Sequence, residues 1–179
     1  GEKFRVTIFG ESHSEAIGAV IDGMKAGVEI SPEDFAGDIA RRKSGATGTT
    51  PRLESDEPEI LSGIFNGYST GAPIAIIFHN SNTRSSDYDA LKDIPRPGHA
   101  DYTASVKWNA FNDPRGGGHF SGRLTLPLVA AGVLAKKMLP FKIEARLIEV
   151  GGVADPGKWN ELLVDTAKEG DSLGGIVCC

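Results

Sequence analysis

Three short polar segments carry the residue types that proton transfer on an anionic ligand requires. Residues 10–13 read Gly-Glu-Ser-His, residues 96–101 read Arg-Pro-Gly-His-Ala-Asp, and residues 115–123 read Arg-Gly-Gly-Gly-His-Phe-Ser-Gly-Arg. Each segment combines an imidazole, which changes its charge near neutral pH, with glycines that let backbone approach a ligand. Two of the segments add arginines, whose planar guanidinium suits phosphate and carboxylate. The pattern predicts an active site.

Further basic side chains lie in stretches rich in glycine, serine or proline, or at the end of a predicted helix. This set comprises Arg41, Arg42, Lys43, Arg52, Arg84, Arg96, Arg115 and Arg123. For any one member, a solvated surface position is the simpler interpretation, and Arg41 and Lys43 could equally complement a helix dipole. Taken together, the set favours a site for phosphate or carboxylate groups.

Other kinds of chemistry find weaker support. The sequence has no Walker motif and no Gly-x-Ser-x-Gly elbow, and its glycine run lacks the strand and later acid of a dinucleotide fingerprint. His13, His99 and His119 do not have metal-ligand spacing, so we expect no metal. His79 ends an apolar run without a neighbouring glycine or cation, and we expect a local hydrogen-bond partner for it.

The composition is that of a globular domain with a substantial core. Of the 179 residues, 40% are hydrophobic and 24% are charged. The net charge of −5 argues against nucleic acid and anionic membranes as partners. We expect a cytoplasmic protein, because the two cysteines are adjacent at the C-terminus and the sequence lacks a signal segment and any long apolar run. The chain opens on one predicted strand and stops within another, so we expect a fragment.

The polar segments must be positioned by a mixture of strands and helices. Alternating apolar residues predict strands, helical periodicity and capping residues predict helices, and Asn66-Gly67 predicts a turn between strands. The predicted strands are 4–9, 16–21, 59–65, 73–79, 144–150 and 173–178, and the predicted helices are 31–42, 100–111, 124–139 and 158–169. His99 and the glycine run then each precede a helix N-terminus, where amide groups favour an anion. The fold class is α+β with antiparallel pairs.

Together, these segments resemble the chorismate synthase family, specifically the N-terminal half of its chain. The shared residues occur in the family's order over essentially all of the 179 residues. They lie at 4–13, 21–23, 41–42, 50–54, 61–63, 70–74, 84–88, 96–101 and 115–118.

The resemblance implies a layered β-α-β sandwich, here incomplete, in which residues 1–179 form the N-terminal part of a single domain. It implies a lyase of the shikimate pathway that converts 5-enolpyruvylshikimate 3-phosphate to chorismate and phosphate. This 1,4-elimination requires reduced FMN although it involves no net redox change. The resemblance also implies a small-molecule substrate, a homotetramer and a link to NADP, and it leaves open whether the protein reduces its own flavin.

The resemblance also carries roles onto individual residues. The two active-site histidines would be His13 and His99. Substrate contacts would come from Ser12, Arg42, Arg52, Arg96 and Arg123. Flavin contacts would come from Arg42, Gly118, His119 and Ser121.

Several positions depart from the family's usual pattern. Ser14 follows the first histidine where a glycine is common, and Gly48 stands where many members have an arginine. Residues 118–123 replace the common Gly-Arg-Ser-Ser-Ala-Arg, so His119 takes an arginine position and makes the charge there depend on pH. Two alternatives stay open: a phosphate-binding fragment without catalysis, and a structural half-domain whose histidines complete hydrogen-bond networks. We expect these 179 residues alone to bind FMN poorly and not to turn over.

Overall fold

The computed structural model describes residues 1–45, 54–81 and 94–179. These residues combine helices with antiparallel sheets, which confirms the α+β class. The chain groups into two compact units. Of the described residues, the first contains 1–42, 54–81 and 94–138, and the second contains 43–45 and 139–179. That both belong to one larger domain stays a prediction.

A four-stranded antiparallel sheet underlies the first unit. In pairing order its strands are β1 (Arg5–Gly10), β2 (Ala16–Asp22), β6 (Ile74–His79) and β3 (Glu59–Ile60). The predicted strands at 4–9, 16–21 and 73–79 are confirmed to within one residue at each end. Because Gly10 pairs with Ile17 across β1 and β2, the connection at residues 11–15 is a tight loop at one end of the sheet.

The predicted strand at residues 59–65 is wrong as a single element. It divides into β3 and β4 (Ile64–Phe65), because Gly63 between them takes a φ of 81°, outside the extended region. Strand β4 pairs with β5 (Tyr68–Ser69) through the Asn66-Gly67 turn, whose φ values are 50° and 79°. Two positive φ values are typical of a type I′ hairpin, so the predicted turn is confirmed.

Two helices of the first unit bury the sheet's apolar side chains. Helix α1 (Glu33–Arg42) packs against α3 (Thr125–Lys137), and α3 packs against the sheet. Fully buried side chains of this core include Ile17, Ile21, Phe35, Ile74, Ile76, Phe78, Leu126 and Leu134. Burying each large apolar side chain contributes roughly 1.5–3 kcal/mol to the stability of the fold. This core therefore stabilises the sheet and helices from which the loops extend.

Helix α2 (Asp101–Lys107) is shorter than predicted. The sequence predicts a helix as far as residue 111, but Asn109 and Ala110 have φ values of 50° and 60°. These left-handed residues end the helical path after residue 108. The beginning agrees with the prediction, because His99 lies just before the first turn.

The second unit is a pair of strands with one helix between them in sequence. Strand β7 (Arg146–Val150) pairs antiparallel with β8 (Gly175–Cys178), and the helix is α4 (Trp159–Lys168). All three elements were predicted, with slightly longer bounds. No helix among the described residues has the length and apolar character that crossing a membrane requires.

Candidate active site

A turn of three consecutive glycines forms the centre of the candidate site. In Gly116–Gly118, the φ values are 58°, 87° and 53°, the left-handed region that glycine enters without strain. We call residues 115–120 the glycine turn. The carbonyl of Gly118 accepts a hydrogen bond from the amide of Ser12 at 3.0 Å. This bond joins the glycine turn to the loop between β1 and β2.

Two histidines contact consecutive glycines of this turn. A methyl group added to Gly116 would lie 2.6 Å from Nδ1 of His13, and one added to Gly117 would lie 2.8 Å from Nε2 of His99. Both distances are too short for an unstrained contact, so a side chain at either glycine would have to displace the ring that lies against it. The imidazoles of His13 and His99 therefore lie against neighbouring residues of one turn.

His13 lies in a loop that a distant residue binds. The side-chain amide of Asn80, just after β6, donates to the carbonyls of Ser14 at 2.8 Å and Glu11 at 3.3 Å. The hydroxyl of Ser14 accepts from the amide of Glu11 at 3.0 Å and so closes the loop upon itself. Nδ1 of His13 is buried. The serine that departs from the family's glycine thus stabilises the loop that carries His13.

Asn80 is held in turn by Arg123, which is buried. The guanidinium of Arg123 donates to Oδ1 of Asn80 at 2.5 Å, to Oδ1 of Asp56 at 2.8 Å and to the carbonyl of His79 at 3.3 Å. The side chains of Arg123 and Asp56 are only 6% and 3% exposed. All three guanidinium nitrogens of Arg123 face protein acceptors, so the residue supports the His13 loop from within the protein.

Arg42, at the end of α1, reaches the same buried carboxylate. Its Nη2 donates to the carbonyl of Gly122 at 3.0 Å, and its Nη1 lies 3.7 Å from Oδ2 of Asp56. Arg42 and Arg123 therefore share the carboxylate of Asp56. Arg52, which the sequence also placed at the site, lies outside the described residues, as does Gly48.

His99 is held by its own segment. Its Nδ1 lies 2.7 Å from Oδ1 of Asp101, and the guanidinium of Arg96 donates to both carboxylate oxygens, at 2.7 and 2.9 Å. Hydrogen bonds from Arg96 hold the pKa of Asp101 well below its usual range, so this carboxyl is ionised at neutral pH. An ionised carboxylate only accepts, and the hydrogen between the two residues therefore belongs to Nδ1 of His99.

A second arginine–aspartate pair flanks the glycine turn. Arg115 donates to one oxygen of Asp113 through Nε at 2.9 Å and to the other through Nη2 at 2.7 Å. This contact lowers the pKa of Asp113 and raises the pKa of Arg115. A methyl group at Gly118 would overlap the backbone carbonyl of Asp113, so the backbone of Asp113 packs directly against the turn.

His79 behaves as a strand-end residue. Nε2 of His79 lies 2.8 Å from Oε2 of Glu59, on the neighbouring strand β3, and both side chains are about half exposed. The predicted local partner is confirmed. Across the described parts of the chain, His, Cys, Asp and Glu side chains do not gather in threes as metal ligands would.

Known sequences match this chain from end to end. The sequence model of the family "Chorismate synthase" matches residues 4–179. A chorismate synthase of Chitinophaga pinensis is 56% identical over all of this chain and 54% of its own length. The chain belongs to the chorismate synthase family. A chorismate synthase of Thermococcus kodakarensis is 41% identical over 99% of this chain and 56% of its own length. The chain thus spans about half the length of the curated relatives it matches.

The fold agrees with this family. A solved structure, "Crystal Structure of Chorismate Synthase", superposes with a TM-score of 0.68 and 24% sequence identity. It covers 97% of this chain, and this chain covers 56% of the solved one. The α+β arrangement of the described residues is therefore that of a chorismate synthase fold.

The chorismate synthase family implies reduced FMN, and residues around the glycine turn fit such a ligand. Nδ1 of His119 lies 2.9 Å from the carbonyl of Gly10, so Nδ1 carries hydrogen and Nε2 is an acceptor in the neutral ring. The Ser121 hydroxyl accepts from the amide of Arg123 at 3.3 Å. Trp108 and Phe120 stack at 5.3 Å beside His119 and offer an aromatic surface to a planar ring.

Sequence reasoning missed four residues that build this chorismate synthase site. Asn80, Asp56, Asp101 and Asp113 were assigned no role, whereas Arg115 was expected only as one of the basic residues of an anion site. Asp101 and Asp113 lie within two residues of His99 and Arg115, so an acid close to a functional residue was a usable signal. Asp56 and Asn80 contact Arg123 from 67 and 43 residues away, and no local pattern indicates such pairs.

Proposed function

We propose that this chain, within a polypeptide of its relatives' full length, belongs to a lyase of the shikimate pathway. The reaction converts 5-enolpyruvylshikimate 3-phosphate to chorismate and phosphate. The observation that carries this proposal is the convergence of His13 and His99 on adjacent glycines of one turn. Membership of the chorismate synthase family supports the choice of substrate.

The two imidazoles are the proton-handling groups of this proposal. In the 1,4-elimination, the substrate loses phosphate and a proton with no net redox change. Reduced FMN, when bound, supplies electron density as phosphate leaves. One imidazole keeps the departing phosphate protonated, and the other donates a hydrogen bond or a proton to the flavin. A positioned acid or base of this kind contributes roughly 10²- to 10⁴-fold to the rate.

Arginines and hydroxyls orient the anionic groups. Ser12, Arg42, Arg52 and Arg96 are proposed to bind the substrate's phosphate and carboxylates, for which a forked guanidinium is better suited than lysine. Flavin contacts are assigned to Arg42, Gly118, His119 and Ser121. Arg123, which has a substrate role in the resemblance, is here proposed to hold Asp56 and Asn80, because its nitrogens face these residues and a carbonyl.

Histidine substitutions test the proposal. In the full-length polypeptide, His13→Ala and His99→Ala should each lower turnover of 5-enolpyruvylshikimate 3-phosphate by roughly 10²- to 10⁴-fold, measured under reducing conditions with FMN. Circular dichroism should show an unchanged fold. His79→Ala is the matched control, since its imidazole binds Glu59 at a strand end, and its turnover should equal that of the unsubstituted protein.

Other outcomes have distinct meanings. Unchanged turnover in both site variants would show that the imidazoles take no part in the reaction. Ligand binding without any turnover in the unsubstituted full-length protein would favour a phosphate-binding protein without catalysis. Loss of folding in both variants would favour histidines that only complete hydrogen-bond networks.

The 179-residue chain is expected to be inactive alone. Because it spans about half of its relatives' length, contacts from the remaining half would be missing from the site. It should bind FMN weakly in a titration followed by the flavin absorption spectrum, and chorismate should not form. Measurable chorismate formation by the chain alone would overturn this expectation. A homotetramer, a cytoplasmic location and a link to NADP are proposed from the family alone.

A further inference from the structure

Asp101 has no part in the function proposed above, yet it is the residue that fixes His99. Its Oδ1 lies 2.7 Å from Nδ1 of His99, and both its oxygens accept from Arg96. The amide of Arg96 adds a further hydrogen bond to Asp101 at 3.0 Å. With its side chain only 19% exposed, Asp101 is held from two directions and presents one oxygen to the imidazole.

The positions of the donors determine which ring nitrogen carries hydrogen. Nη2 of Arg96 lies 3.3 Å from Nδ1 of His99, but a guanidinium only donates. Oδ1 of Asp101 is the nearer group, at 2.7 Å, and an ionised carboxylate can only accept, so the hydrogen lies on Nδ1 and is directed to Asp101. The opposite edge of the ring, with Cε1 and Nε2, faces Gly117.

We infer that Asp101 is the positioning residue of His99, which keeps hydrogen on Nδ1 and directs Nε2 to the glycine turn. In the neutral ring Nε2 is then an acceptor, and in the protonated ring the same atom is a donor. A single ring atom can therefore take up and return a proton at one fixed place. Arg96 acts through Asp101 by keeping that carboxylate ionised and oriented. The inference about catalysis rests on the proposed function, whereas the tautomer does not.

The tautomer is the first test. In the 179-residue chain labelled with ¹⁵N-histidine, long-range proton–nitrogen spectra distinguish the nitrogen that carries hydrogen from the one that does not. His99 is assigned by the loss of its signals in His99→Gln. We expect hydrogen on Nδ1 in the unsubstituted chain and loss of this fixed tautomer in Asp101→Asn. Hydrogen on Nε2 in the unsubstituted chain, or an unchanged tautomer in Asp101→Asn, would overturn the inference.

The matched control removes an arginine–aspartate ion pair that does not contact a histidine. Asp22 accepts from Arg5 at 2.6 Å on the exposed end of the β1–β2 pair. Asp22→Asn should leave the His99 signals unchanged. If Asp101→Asn does not fold, Asp101→Glu keeps the carboxylate and should retain hydrogen on Nδ1; an Nε2 tautomer in that folded variant would contradict the inference.

Kinetics on the full-length polypeptide separate this inference from the proposed function. Because Asp101 contacts the imidazole and not the ligand, Asp101→Asn should lower kcat by about 10²-fold and leave KM nearly unchanged, while Asp101→Glu restores part of kcat. A higher KM with unchanged kcat would overturn the positioning role. Absence of lyase activity in the unsubstituted protein would reject the proposed function, and the tautomer measurement would still decide the role of Asp101.

Discussion

The two site histidines lie against adjacent glycines, but the molecule holds them by different means. His99 is fixed by Asp101 and Arg96, which belong to one six-residue segment. His13 lies in a loop that is held by hydrogen bonds from the side chain of Asn80 and from the backbone amide of Ser12 to Gly118. Asn80 and Gly118 are both distant from this loop in sequence. One ring is therefore positioned by local, charged contacts, and the other depends on the assembled fold.

This difference predicts which perturbations reach which ring. A change in the buried support should disturb the His13 loop first, because that loop is tied to Asn80 and through it to Arg123. A change in the charge of Asp101 should disturb His99 first. A substitution that disturbs both rings equally would contradict this distinction.

The largest expected effect comes from the buried aspartate. Asp56→Asn preserves the shape of the side chain, and asparagine tolerates the φ of 55° at this position. The substitution leaves the buried Arg123 without its carboxylate partner. Breaking a buried pair in this way should destabilise the chain by about 3 kcal/mol, measured by urea unfolding at neutral pH. Asp22→Asn, which removes an exposed pair, should give no measurable change.

The same variant also tests the distinction between the two rings. In ¹⁵N-histidine spectra of Asp56→Asn, the signals of His13 should shift, while those of His99 should stay in place. If both sets shift equally, the two rings share one support and the comparison fails.

The next effect concerns the two glycines that face the rings. Gly116→Ala should displace the imidazole of His13, and Gly117→Ala should displace that of His99 and lengthen its bond to Asp101. A left-handed alanine costs roughly 1–2 kcal/mol even before the ring moves, so both variants should lower the urea midpoint. Equal disturbance of both rings by either variant would contradict the separation.

A glycine elsewhere in the same unit provides the control. Gly132 lies inside α3, and an added methyl group would meet nothing within 4 Å. Gly132→Ala should therefore stabilise the chain by roughly 0.5–1 kcal/mol, because alanine loses less conformational entropy in a helix. Destabilisation at all three glycines would indicate a general intolerance of substitution.

The sequence predicted the locally determined parts of the molecule well. Strands β1 and β2 and helix α1 follow from alternation, periodicity and charged ends, which are properties of neighbouring residues. The strand at 59–65 was wrong because one glycine with positive φ outweighed the apolar pattern on both sides of it. Helix α2 was too long in the prediction because left-handed backbone at Asn109 and Ala110 leaves no mark in hydrophobic periodicity.

The same division applies to the candidate site. The resemblance assigned His13 and His99 to one site, and the two rings lie against adjacent glycines of one turn. Asp101 was within reach of sequence reasoning, because it stands two residues after His99 in the same segment. The burial of Arg123 was not, since its partners Asp56 and Asn80 are 67 and 43 residues away in the sequence. Non-local contacts thus bind Arg123 to Asp56 and Asn80, and its expected substrate role stays a prediction.

A further small effect is the dependence of stability on acid. Since the folded-state pKa of Asp101 is lowered by Arg96, its contribution is complete above the unfolded value of about 3.9 and is lost as pH falls below that value. The difference in unfolding free energy between the unsubstituted chain and Asp101→Asn should shrink by about 1 kcal/mol between pH 7 and pH 3, measured by urea unfolding. A constant difference would mean that the Arg96 contact does not keep Asp101 ionised. Acid should also weaken the contact between Asp101 and His99 before it affects the hydrogen bonds between neutral groups that hold the His13 loop.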